Sequence, residues 1–219
     1  MKVLVACEES QRVCTAFRER GHEAYSCDII ECSGGHPEWH IMSDVLPLLN
    51  GFCGFDTMDG VHHYIGRRWD LIIAHPPCTY LSNAGACRLY PKKGQLDMER
   101  YQKGLEAKEF FLRMLNADCE RVCVENPVSS TVFQMPPHTQ EIQPWQFGHS
   151  VTKKTRLWLR GLPPLCVTDV VEPTAPYIPA GTGRKDPTKY GRAFQTGKDS
   201  VQRSKTFPGI AKAMAEQWG

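Results

Sequence analysis

A short apolar run that stops at two prolines constrains this chain more than any other feature. Residues Trp69 to Ser82 read WDLIIAHPPCTYLS, so Leu71 to Ala74 form a buried strand that ends at the rigid loop His75-Pro76-Pro77-Cys78. Each proline fixes its own φ and restricts the residue before it, so covalent geometry holds the Cys78 thiol at the carboxyl end of the strand. In open α/β sheets that edge is where ligands bind. The same stretch also suits a buried strand with an inert cysteine in its exit loop, because free cysteine is commonly a small core residue. The neighbouring strand ends therefore decide its meaning.

Read in order, the chain supplies those strands. Lys2 to Ala6 form a first strand, Ser10 is placed to cap a helix carrying Val13, Cys14, Ala16 and Phe17 on one face, and Gly21 ends it. A second strand from Glu23 to Cys27 runs into Asp28, and a short third around Ile41 ends at Asp44. This βαβ opening has an acidic residue after its second strand, where a carboxylate can accept both hydroxyls of a ribose. The first loop, Cys7-Glu8-Glu9-Ser10, has no glycine-rich fingerprint and would repel a pyrophosphate. A cationic or zwitterionic adenosine ligand fits it better than NAD or ATP.

Residues 45 to 68 read as a helix and a loop interrupted by glycines. The polar and aromatic segment after Cys78 suits a mobile loop over an active site. Asp97 to Asn116 predicts a helix with Tyr101, Leu105, Phe110, Phe111, Leu112, Met114 and Leu115 on its apolar face. Arg121 to Val124 is a fifth strand running into Glu125-Asn126-Pro127. Ile142 to Phe147 and Thr155 to Leu159 resemble two more, the second carrying Lys154 and Arg156 on one face. Pro208 to Trp218 closes the chain as a helix. The expected architecture is one α/β domain with a mostly parallel, doubly wound, Rossmann-like sheet.

At 219 residues the chain suits one domain, and its ten scattered cysteines, with no signal-peptide pattern before them, point to a reducing cytoplasm. No apolar run approaches a membrane span. Cys27, Cys32, His36 and His40 lack the long central gap of Cys2His2 zinc sites, so no metal is expected. Net charge is only +2, yet Val151 to Lys205 hold 11 Lys/Arg against 4 Asp/Glu, a Gly- and Pro-rich basic segment suited to a polyanion. Side by side, the strand ends would gather Asp28, Asp44, Cys78, Glu125, Lys154 and Arg156, a nucleophile with a carboxyl group and a basic pair. A Cys78–His75 hydrolase dyad is disfavoured by the two prolines between them.

The ordered segments ACEES, CDI, SDV, HPPCTYLS, VENP, TRLWL and KTFPGIAKAMAEQW resemble the motifs of DNA cytosine-C5 methyltransferases, in particular the short bacteriophage and prophage forms. The resemblance implies a Rossmann-like S-adenosylmethionine-dependent methyltransferase fold, with a core of residues 1–159 plus a C-terminal helix within 204–219. It also implies methyl transfer to C5 of cytosine in DNA. Cys78 would add to C6, Glu125 would protonate or hydrogen-bond N3, Asn126 would orient the loop, and Arg156 and Lys154 would contact the base carbonyl and the backbone. Ala6, Cys7, Glu8, Ser10, Asp28, Ile29, Asp44, Val45 and Pro76 would form the S-adenosylmethionine site. Pro77 and Ser82 would face the substrate, with Lys185, Lys189 and Arg192 touching phosphates.

This sequence departs from the family pattern in three places. The glycines of the first motif are missing, Thr79 stands where glutamine often follows the nucleophile, and only residues 160–203 occupy the place of a target-recognition domain. Such a short segment implies relaxed or very short site specificity. It also keeps two alternatives open: the same chemistry on a free pyrimidine nucleotide or RNA, and a nucleic-acid-binding protein without activity. A monomer is expected.

Overall fold

The structure is a computed structural model, and it describes residues 1–86, 88–92, 94–176 and 204–219. Seven strands form one sheet: β1 (Lys2–Ala6), β2 (Glu23–Asp28), β3 (His40–Met42), β6 (Leu71–Ala74), β7 (Val122–Pro127), β8 (Gln140–Ile142) and β10 (Thr155–Arg160). Their order is β3-β2-β1-β6-β7-β10-β8, while β9 (Val151–Thr152) pairs outside this sheet with Ala175–Pro176. The pairs β2–β3, β1–β2, β1–β6 and β6–β7 are parallel, while β10 runs antiparallel to both β7 and β8. This is the mostly parallel, Rossmann-like α/β fold expected of an S-adenosylmethionine-dependent methyltransferase.

Strand order reverses direction at β1, whose two neighbours are β2 and β6. The ends of β1, β2, β6 and β7 therefore open onto one crevice. Register makes the alignment close, since Ala6 pairs with Ala74 and Ala74 with Val124. His75 and Glu125 are the next residues of their strands.

Period-2 alternation sends each strand's side chains to two cores. Leu4, Ile72, Ala74, Val122 and Val124 pack on one face with Phe111 and Met114 of α3 (Met98–Leu115). Val3, Val5, Leu71, Ile73 and Cys123 pack on the other with Phe17 of α1 (Arg12–Glu19) and Met214 and Trp218 of the C-terminal helix, Pro208–Trp218. Continuing that alternation puts His75 and Glu125 on the face of α1 and the C-terminal helix.

Several local expectations are corrected. Residues 45 to 68 form no α-helix. A 3-10 turn, Leu46–Leu48, precedes an antiparallel hairpin of β4 (Cys53–Asp56) and β5 (His62–Ile65), turned at Gly60 with φ 84. Its signal is of period 2, with Phe55 and Ile65 buried against the first core. The strand expected over Ile142 to Phe147 is not there: the strand β8 ends at Ile142, and Pro144, which cannot donate to a ladder, starts a 3-10 turn, Pro144–Gln146. Asp97 caps α3 by accepting from the Arg100 amide, but Leu105 points to solvent while Gly104 faces the core. A Cβ on Gly104 would sit 2.1 Å from Cζ of Phe133, so that crossing requires glycine.

The segment after Cys78 is stitched down more than its composition suggests. Leu81 and Leu89 are buried. The Ser130 amide donates to Leu81 O at 2.7 Å and the Asn83 amide to Val128 O at 2.9 Å, beside a Ser82–Ser129 bridge. The short helix α2 (Asn83–Ala86) is pinned by Arg100, which donates to Gly85 O at 3.1 Å and to Thr79 O at 3.3 Å.

Candidate active site

The loop leaving β1 is held by its own carboxylates. Cys7 and Gln11 both adopt positive φ, 58 and 56, which gives the loop a sharp path without glycine. Ser10 is buried but does not cap α1; Gln11 occupies the N-cap without a side-chain bond. Glu8 does the capping instead, its two oxygens accepting from the amides of Val13 at 2.7 Å and Cys14 at 3.1 Å. An anion-binding helix N-terminus is thus filled by the chain itself, which leaves no place there for a pyrophosphate. Burial, and to a lesser degree the charge of Glu9, raise the Glu8 carboxyl above its ordinary range, while the charge of His75 and those two amides lower it. Glu9 accepts from Ser33 and lies 3.7 Å from Lys205. Neither acid therefore stands bare in the crevice.

The next strand ends carry the residues expected to meet an adenosine. Asp28, half-buried, ends β2 and accepts weakly from the Ile30 amide at 3.4 Å; burial raises its pKa. Ile29 beside it is 76% exposed, an apolar surface open at the crevice. Asp44 accepts from the Leu46 amide at 3.0 Å and Val45 is buried. A buried network holds this region: Gln11 donates to Ser26 and to His36 O, and His40 bonds Ser26 and Ile30 O. An acid flanked by an exposed isoleucine, in a crevice whose anion position is already filled, fits S-adenosylmethionine better than a polyphosphate.

At the ends of β6 and β7, His75 Nδ1 donates to Glu125 Oε2 at 2.8 Å, with their side chains 12% and 14% exposed. Desolvation opposes the charge on His75, but the bond and charge of Glu125 outweigh it and raise the imidazole. Desolvation likewise opposes ionisation of Glu125, yet His75 and Lys153 hold that carboxyl below its ordinary range. Each partner thus favours the charged form of the other.

Cys78 lies half-buried in the loop behind Pro76, which is buried, and Pro77, which is exposed. Burial first, and then the charge of Glu125, push its thiol up, while Lys153 pulls it down. The side chain of Asn126 is buried at 1% exposure, and neither of its amide atoms has a partner among the described residues. A small cavity beside Glu125 is lined by Lys153, Thr155, Thr206, Phe207 and Met214, so the approach to the C-terminal helix closes one side of the site.

The basic pair falls differently from its sequence placing. Lys154 lies 2.9 Å from Glu141 and Arg156 3.6 Å from the same carboxylate, which holds both toward β8. The cation that acts on His75, Cys78 and Glu125 is Lys153. Neither Lys153 nor the His75–Glu125 pair was expected from the sequence, although equal distance from the Ala74–Val124 register pair was a signal for the latter. Lys185, Lys189 and Arg192 lie outside the described residues. No group of three His, Cys, Asp or Glu among the described residues is arranged to hold a metal ion.

No family model matches this chain, and no curated protein does. Solved structures do match. One is described as a candidate DNA modification methyltransferase encoded within an E. coli prophage, 13% identical, with a TM-score of 0.40 over 73% of this chain and 46% of that one. The chain thus spans less than half the length of that solved protein.

Proposed function

We propose that this protein transfers a methyl group from S-adenosylmethionine to C5 of cytosine in DNA through a covalent bond from Cys78 to C6. The observation that carries this reading is the delivery of Cys78 and Glu125 from the adjacent ends of β6 and β7, aligned by the Ala74–Val124 register pair, with His75 of the Cys78 loop bonded to Glu125 at 2.8 Å. The chain is read as one methyltransferase domain, with the basic segment 160–203 in place of a recognition domain. It would act as a monomer in the cytoplasm, in keeping with described cysteines that are all free. Among the described residues, no helix is long and apolar enough to cross a membrane.

Asp28, Ile29, Asp44, Val45 and the backbone from Ala6 to Ser10 would hold the cofactor, which supplies an electrophilic methyl group. Cys78 attacks C6 as the thiolate, forming the S–C6 bond and pushing the ring electrons onto N3. Glu125 would act on the charge building at N3 in its acid form, taking up a proton on Oε1 as the base covers the carboxyl and donating it to N3, where a proton or hydrogen bond lowers the barrier most; in the free protein His75 and Lys153 oppose that proton. Lys153 supports both steps by favouring the thiolate and neutralising the ring. C5 would then take the methyl, leaving the cofactor as its demethylated thioether, and water would take the C5 proton as the C6–S bond breaks and Cys78 leaves as the thiolate. In a duplex the base must also leave the stack, at a cost of a few kcal/mol.

The deciding experiment supplies S-adenosylmethionine with duplex DNA, single-stranded DNA, RNA or dCMP and identifies the product nucleoside by mass spectrometry. The expected product is 5-methylcytosine from DNA. Product from dCMP or RNA alone moves the chemistry to another substrate, and binding without any product leaves a nucleic-acid-binding protein.

A further inference from the structure

His75 has no role in the chemistry above, yet it is largely buried at the end of β6 and bonded to Glu125. Its own amide donates to Ala6 O at 2.9 Å, tying the end of β6 to β1, and Pro76 fixes the backbone that follows. The ring then bonds one oxygen only of Glu125, Oε2. Nε2 is buried with no partner among the described residues, so the imidazole is held from the Nδ1 side alone. Rotation of Glu125 about its terminal bond would break that contact. A carboxylate so pinned presents its second oxygen in a fixed direction.

We propose that His75 is a positioning residue for Glu125: by holding Oε2, it aims Oε1 at the substrate base. This deepens the proposed function and rests on it. The charged groups facing the ring are Glu125 from β7, Glu8 from the loop after β1 and Lys153 ahead of β10, with Cys78 three residues further along its own loop. Burial opposes charge on the ring, while the bond and charge of Glu125, with a smaller contribution from Glu8, favour it and prevail over Lys153. A neutral donor of similar reach, the amide of asparagine, should keep the geometry without the charge.

The test uses the whole protein and two readouts. First, ring 15N signals of His75, assigned by their loss in His75→Asn, are followed with pH. They should titrate above the ordinary imidazole range and fall by at least about one pH unit in Glu125→Gln. Second, methyl transfer is measured in His75→Leu and His75→Asn. The leucine variant should lose about 30-fold or more in kcat with KM for DNA changed little, while asparagine restores most of that loss. A His75 titration indifferent to Glu125→Gln overturns the proposal. So does a leucine variant as fast as the parent, or equal losses in both variants. If the parent methylates no cytosine substrate, the proposed function falls, and the ring titration still decides whether the pair exists as described.

Discussion

Lys205 and Glu9 lie 3.7 Å apart although 196 positions of sequence separate them, and both side chains are close to nine-tenths buried. Lys205 also donates to Ser33 at 2.7 Å, and Arg12 donates to Thr206 O at 2.7 Å. The lead into the C-terminal helix is thereby sewn onto the loops at the ends of β1 and β2, where the cofactor is proposed to bind. Removing one member of a buried pair leaves the other charge uncompensated. Lys205→Ala should weaken S-adenosylmethionine binding by about tenfold, ~1.4 kcal/mol, as measured by calorimetry. Unchanged affinity would separate this contact from the cofactor site.

Cys78→Ala should abolish methyl transfer while S-adenosylmethionine still binds. In the parent, burial and Glu125 keep the thiol protonated at neutral pH, so its reactive fraction grows with pH. The single-turnover rate should rise by about tenfold per pH unit from pH 7 toward 9, while the thiol remains mostly protonated. A flat profile would mean that the thiolate does not limit the step.

Glu125→Gln should lower kcat by about 10²-fold, the usual scale for a lost acid–base group. The His75–Glu125 pair also links stability to pH. Glu125 is depressed, so its contribution is present above the ordinary glutamate range and lost as pH falls through the folded value. His75 is raised, so its contribution is full below the ordinary imidazole range and lost as pH rises through the folded value. The difference in Tm between parent and Glu125→Gln should therefore be largest at about pH 5–6 and shrink on both sides. Melting curves across pH 4 to 9 check this.

Glu8 behaves in the opposite sense. Its carboxyl is raised by burial, so the ionised form is less favoured in the fold than in the unfolded chain. Glu8→Gln keeps an acceptor for the α1 amides without the buried charge and should leave Tm at pH 8 unchanged or higher. Glu8→Ala strips the cap and should cost about 1–2 kcal/mol. Equal destabilisation by both would show that the charge itself is needed.

DNA binding should fall steeply with salt if the basic segment meets phosphates. Lys154 and Arg156 already share Glu141, so Lys154→Ala should change affinity by no more than about threefold at 0.15 M salt, the scale of an exposed ion pair. Lys153→Ala should instead act on kcat. Fluorescence anisotropy titrations at several salt concentrations, set beside turnover, distinguish the two lysines.

Much of the fold was legible because its signals are local. Short apolar runs fixed β1, β2, β6 and β7, a capping Asp97 and a long amphipathic run fixed α3, and Pro76-Pro77 fixed where Cys78 is delivered. The hairpin Cys53–Ile65 was missed because scattered glycines masked its period-2 pattern. By itself the sequence determined the strands, their acidic ends and the thiol at one of them. Only the tertiary structure decided the partners: Glu8 with the α1 amides, Glu9 with Lys205, Glu125 with His75, and Lys154 with Glu141. Those choices depend on register and strand order, because a one-residue step along a strand moves a side chain to the opposite face of the sheet.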